Sequence, residues 1–313
     1  MPRLLKYILY AGVFFASYLL FVYWMLPMET LKSRVILATE QALGPDFEVK
    51  VEKLKTYYLT GATLENVVIH HLNAGKEEPV LRADRVRARL GIFSWILGRP
   101  KVSYEVRMEK AKISGFVQKA EDKFKLQASF KNLDLGGIPY VQLMTGLHFL
   151  SSINGKVSLD YDQKQPLKTE GEIQINIDRL SLKKSNVGLG EMGSFPLPDL
   201  DLASGNSSVQ GVIEKGSMRV DSLKLKAADF DLDLKGRLFL APQISMVRLN
   251  LQGGFQFSPK LWAILDPILP EPWASELKKQ KGQAEAYPLS VSGQLNMPQA
   301  YSGTLRLYPF KPF

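Results

Sequence analysis

Gly188-Leu189-Gly190-Glu191-Met192-Gly193 spells the G-x-G-x-x-G spacing by which a backbone approaches a dinucleotide pyrophosphate. That chemistry needs a strand before the first glycine and a helix opening at the last, so that helix amides face the phosphates. Ser194-Phe195-Pro196-Leu197-Pro198 follows instead, and two prolines cannot continue a helix, so the stretch reads as a loop. The only three histidines are His70, His71 and His148. Adjacent residues on a strand point to opposite faces, and no carboxylate cluster accompanies them, so surface histidines are expected rather than a zinc site. Asp221, Asp229, Asp231 and Asp233 invite a calcium reading. The last three alternate with Phe230, Leu232 and Leu234 as a solvated strand face does, and the EF-hand glycine and distal glutamate are missing. No Gly-x-Ser-x-Gly, H-E-x-x-H or P-loop occurs, and Glu121-Asp122 reads as a turn. No catalytic, cofactor-binding or metal-ligating residue is therefore assigned, and a non-enzymatic protein is expected.

The strongest signal lies at the start. Residues 4–26 form an apolar run interrupted only by Lys6, and about 20 apolar residues cross a bilayer core. Arg3 and Lys6 precede it and Glu29 is the first charge after it, which places the N-terminus in the cytoplasm. Leu4 and Leu20 belong to the spanning run, and Tyr23 and Trp24 suit an aromatic belt at the outer interface. No small-x-small cleavage site occurs near Pro27, so the segment is read as an uncleaved anchor. The expected organisation is an anchor over 1–27 and an exported domain over 28–313. That is a single-pass inner-membrane protein with a periplasmic domain.

The chain of 313 residues is 45% hydrophobic, enough for a substantial core, and carries a formal charge of +9. The basic excess is dispersed along strand-like segments such as 82–89, without a basic helix, RNP-like motif or zinc pattern, so nucleic acid is not an expected partner. The absence of cysteine excludes disulfides, iron–sulfur clusters and thiolate zinc sites.

Apolar residues at Leu31, Val35, Ala38 and Ala42, stopped by Gly44-Pro45, predict a helix over 31–43. From there the period is two: Val102, Tyr104, Val106 and Met108, then Ile173, Ile175 and Ile177, then Val247, Leu249, Leu251, Phe255 and Phe257. Short turns such as Ile153-Asn154-Gly155 and Glu214-Lys215-Gly216-Ser217 predict antiparallel meanders. Helices are expected over 139–152, after the N-cap Ser258 with Pro259 at N1, and near Trp273. A strand–helix–strand theme recurs around 132–160 and 254–295, as a duplication would produce. The expected fold class is mainly β: about fourteen strands in a long twisted antiparallel sheet, on the order of 65 Å across, with a few short helices.

Several segments carry a family likeness. They are the helix ending near Gly44, the strand pair of residues 64–69 and 81–86, and Phe195-Pro196-Leu197-Pro198-Asp199-Leu200. Residues 221–225 and 229–238 complete the set. Through them the chain resembles the type II secretion system protein N family and, more distantly, the AsmA-like envelope proteins. The first resemblance implies an inner-membrane component whose periplasmic domain accompanies a secretion apparatus of the Gram-negative envelope, with no catalytic residues and with other secretion-system envelope proteins as partners. The leading expectation is a scaffold acting through strand edges and a basic face. The AsmA-like likeness implies a bent sheet with an apolar groove, hence the alternative of a phospholipid-binding or lipid-transfer module. Val247, Leu249, Leu251 and Phe255 are then the expected lipid-facing residues.

Overall fold

The computed structural model describes residue 14 and, from 28 to 309, every residue except 45, 59, 74–75, 146, 163, 189–193, 198, 242–245, 268, 270, 282–285 and 296. The expected anchor residues Leu4, Leu20, Tyr23 and Trp24 lie outside the described residues. Among the described residues no helix is long and apolar enough to cross a membrane.

Helix α1 (Met28–Leu43) begins three residues earlier than its apolar spacing predicts, with the acidic Glu29 in its first turn. It ends where Gly44, at φ 111°, donates its amide to the Glu40 carbonyl. Fifteen strands then build one antiparallel sheet in chain order. The first eight are β1 (Phe47–Tyr57), β2 (Gly61–Asn73), β3 (Lys76–Leu90), β4 (Lys101–Met108), β5 (Ala111–Ala120), β6 (Lys123–Leu133), β7 (Phe149–Asp162) and β8 (Glu170–Leu182). A separate two-stranded hairpin, β9 (Ser185–Gly188) and β10 (Ser194–Leu197), interrupts the order. The sheet resumes with β11 (Leu200–Glu214), β12 (Ser217–Lys226), β13 (Phe230–Phe239), β14 (Arg248–Phe257), β15 (Tyr287–Gln294), β16 (Met297–Ser302) and β17 (Leu305–Pro309). At ~4.8 Å per strand the ladder measures about 67 Å along its contour.

Four short helices sit in the connections. They are α2 (Ile92–Ile96) after β3, α3 (Pro139–Thr145) after β6, and α4 (Pro259–Leu265) with α5 (Glu271–Lys281) after β14. Helix α4 starts as its sequence predicts, with the Ser258 hydroxyl accepting the Leu261 amide at 3.1 Å. The helix expected over 139–152 is a correction: it stops at Thr145, and β7 begins at Phe149. There the Asp134 carboxylate accepts the Ser151 amide at 2.8 Å, and the Phe149 to Leu182 register draws the chain into the sheet.

Apolar residues three apart share a face in several strands, which a period of two does not allow. Leu64 and Val67 pack in one cluster, as do Ala83 and Val86, and Phe130 with Leu133 and Ile177 with Leu180 do so further along. On β2, β6 and β8 the step falls at a left-handed residue or a shift of register that re-aims the strand, and on β3 it falls opposite the left-handed Asn66 of β2. Asn66 has φ 51° and its amide donates to the Glu52 carboxylate, while Asp84 accepts the amide of left-handed Glu109 at 2.7 Å. On β6 to β8, Asn154 accepts the amide of left-handed Asn132 at 2.9 Å and donates to Asp178 at 2.6 Å. Ile153-Asn154-Gly155 is consequently interior to β7 and not a turn, a second correction. Its asparagine closes a bulge, and its glycine makes room for the Phe130 ring, with which a Cβ at 155 would collide. The turn at Glu214-Lys215-Gly216-Ser217 stands as expected, with both central residues at positive φ.

Candidate functional site

The segments that first invited chemistry are held apart. The strand β10 occupies the place where a dinucleotide fingerprint requires a helix. His70 and His71 lie on β2, between β1 and β3, and both are half-buried rather than on the surface. Pairing on both sides explains the difference, and the His71 ring rests 5.3 Å from that of Phe47. His148 is exposed, 2.7 Å from the Gln142 amide nitrogen. Asp221 accepts from Arg219 at 2.7 Å, Asp233 lies 3.5 Å from Lys224, and Asp229 accepts from the Ser258 hydroxyl at 2.8 Å. Among the described residues no three His, Asp or Glu are placed to hold a metal ion.

What the sheet does assemble is a chemical division between its faces. One face is ionic and hydroxylic. At its N-terminal half Glu105 lies 2.7 Å from Lys112, 2.8 Å from Arg107 and 3.8 Å from Arg87. The hydrogen bond from Lys112 holds the Glu105 carboxyl below the usual carboxylate range, against the opposing effect of partial burial. Two depressions lie on this face. One of about 450 Å³ is bordered by Ser114, Ser129, Lys156 and Glu172, and one of about 320 Å³ by Lys224, Asp231 and Gln256.

The other face is apolar. A single register line crosses it from β3 to β14: Leu90, Val102, Val117, Leu126, Leu159, Gly171, Ile213, Met218, Leu238 and Leu249 are successive cross-strand partners. Cover along that line is uneven. Ile213 and Met218 are buried in a cluster with Val220, Leu234 and Leu251 whose members all come from strands. Helix α1 covers Val49 and Val51 through Ile36, and the segment of α4, α5 and Leu269 packs around Phe255, Leu277 and Tyr287. At one end of β4 and β5, by contrast, Val102 and Val117 are 39% and 38% exposed and Tyr104 is half-buried, as is Leu126 on β6, while at the other end Met108 and Ala111 are buried with Val106 and Ile113 packed against them. Tyr104 crosses Gly115 and donates to the Gln127 carbonyl at 3.3 Å, and burial raises its phenol pKa. A side chain at 115 would strike that carbonyl and the Tyr104 hydroxyl.

Val247, Leu249, Leu251 and Phe255 alternate along one edge of chain, and Leu249, Leu251 and Phe255 pair with Leu238, Gly236 and Leu232 of β13. Val247, Leu251 and Phe255 are each buried, and only Leu249 is half-exposed. The open stretch of the apolar face lies instead at the Val102–Val117 end of β4 and β5. The alternation of Val102, Tyr104, Val106 and Met108 gave those positions a face, but nothing in it distinguished a covered strand from an uncovered one. No family model, curated protein or solved structure matches this chain.

Proposed function

We propose that this chain is a non-enzymatic envelope protein that accommodates acyl chains along the uncovered part of its apolar sheet face, held at the inner membrane and working in the setting of type II secretion. The observation that carries the reading is the uneven cover of one continuous apolar line. Deep burial in a cluster made of strands alone is what a sheet curved toward its apolar face produces. Curvature of that kind makes the same face a trough where it does not close, at Val102, Val117 and Leu126. A trough walled by Val, Leu, Ile and Tyr, without an ionic group, suits hydrocarbon and offers a headgroup nothing. The inner membrane and the secretion setting rest on the apolar run of residues 4–26 and on the family resemblance.

Photocrosslinking tests this reading. Benzoylphenylalanine at Val117, in the full-length chain in its native membrane, should yield adducts of phospholipid mass, and the same probe at Lys156 on the ionic face should not. Protein adducts alone at 117 would replace the reading with a scaffold. One observation favours that second reading: β17 ends the sheet order, so among the described residues one of its sides has no strand partner and is a place for strand addition.

A further inference from the structure

The connection between β3 and β4 is not explained by the trough. It reads Gly91-Ile92-Phe93-Ser94-Trp95-Ile96-Leu97-Gly98, and Phe93, Trp95, Ile96 and Leu97 are 63% to 83% exposed. Four large apolar side chains in such proximity are costly to leave in water. The backbone beneath them is ordered by its own bonds: Leu97 donates to Phe93, Gly98 to Trp95 and Arg99 to the Ser94 carbonyl, all within 3.1 Å. Ser94, the only polar side chain of the run, turns back to the Gly91 carbonyl at 2.8 Å and accepts the Lys101 amide at 3.2 Å. A tip whose last-turn amides are bonded and whose apolar side chains are exposed suits the headgroup–acyl boundary, where water still reaches the uncapped amides of its first turn.

The charge around it has one sign. Residues 57–61, 87–103 and 116–120 meet at this end of the sheet and contain Arg87, Arg89, Arg99, Lys101 and Lys119 but no Asp or Glu. The acids that follow along these strands are Glu105, held by three cations, and Glu121 and Asp122 of the β5–β6 turn, of which Asp122 is paired with Lys164 at 2.6 Å. Arg89 lies over the Tyr58 ring at 4.9 Å and Lys101 over Phe116 at 3.8 Å, the amphipathic pairing found at membrane interfaces. The direction of α1 agrees. Glu40 accepts the Val49 amide and Lys32 donates to the Glu52 carbonyl, so α1 followed backwards runs along β1 toward this same end.

We propose that the α2 tip docks on the surface of an anionic phospholipid bilayer, with Phe93, Trp95, Ile96 and Leu97 in the acyl boundary and Arg89, Arg99, Lys101 and Lys119 on lipid headgroups. The proposal goes beyond the trough and stands without it. The chain has no cysteine, so a single Leu97→Cys, remote from the core, carries an environment-sensitive nitrobenzoxadiazole label cleanly. Full-length chain in nanodiscs containing phosphatidylglycerol should show blue-shifted emission that brominated lipid quenches, and a label at Lys156→Cys should stay aqueous. Arg99→Gln with Lys101→Gln should lower the docked-to-undocked ratio roughly fivefold per cation removed. A label at 97 that remains aqueous in anionic discs overturns the proposal, and so does shielding without bromolipid quenching, which marks a protein contact. Lipid adducts at Val117 report only on the trough, so either idea can fail alone.

Discussion

If the apolar face is a closed core over β11 to β15 and an open trough over β4 and β5, two substitutions on it must differ sharply in cost. Leu251→Ala removes a buried side chain that packs with Ile213, Met218, Val220 and Leu234 and whose register partner is Gly236. Glycine cannot fill the space, so the loss should fall at about 3–4 kcal/mol, within the range for buried leucines. Val117→Asp removes a side chain that is 38% exposed. About three fifths of a valine's burial, itself about 1.5–2 kcal/mol, is lost, and the carboxylate keeps access to water, so the cost should be about 1 kcal/mol. With an unfolding entropy of about 2.1 cal/mol/K per residue over residues 28–313, these become Tm shifts of about 6 °C and about 2 °C. Circular dichroism melts of the full-length chain in one mild detergent measure both, and lipid extraction of the same samples shows which variant loses bound lipid. The expected pattern is a large shift with lipid retained for Leu251→Ala, and a small shift with lipid lost for Val117→Asp. A Val117→Asp shift equal to or larger than that of Leu251→Ala would show that β4 and β5 are covered, and the trough would have to be abandoned.

Three further outcomes are expected. Gly115→Val should force β5 from β6 and displace Tyr104, costing roughly 3 kcal/mol or preventing folding, as read by expression and melting. Ser258→Ala removes the α4 cap and its bond to Asp229, lowering stability by about 1 kcal/mol without touching lipid retention. Glu105 has a depressed pKa, so its contribution is complete above its unfolded value near 4.5 and fades as the pH falls through the lower folded value. Glu105→Gln should therefore be less stable than the parent at neutral pH by at most about 1 kcal/mol, and the difference should shrink below about pH 4.5.

The strands were legible because alternation is a local consequence of the pleat. Val102 to Met108 and Ile173 to Ile177 fall in β4 and β8, and the Ser258-Pro259 signal opens α4 on the expected residue. Reading failed where polar residues serve a distant strand. Asn154-Gly155 has the composition of a turn, yet Asn154 answers Asn132 and Asp178 from neighbouring strands, and Gly155 answers Phe130. Helix α2 was missed because five residues are too few to show a period, although the run from Ile92 to Leu97 between two glycines was visible.

By itself the sequence determined that the chain is mainly β and that its strands have one apolar and one polar face. Those properties depend on residues close together along the chain. Which apolar residues are covered was decided by tertiary structure alone, because exposure depends on how fifteen strands align and where the helices land. Leu251 and Val102 look alike in their own strands. One lies in a strand cluster with Gly236 opposite, and the other lies between Leu90 and Val117 on a register line, one strand from its end and close in the chain to the apolar tip of α2.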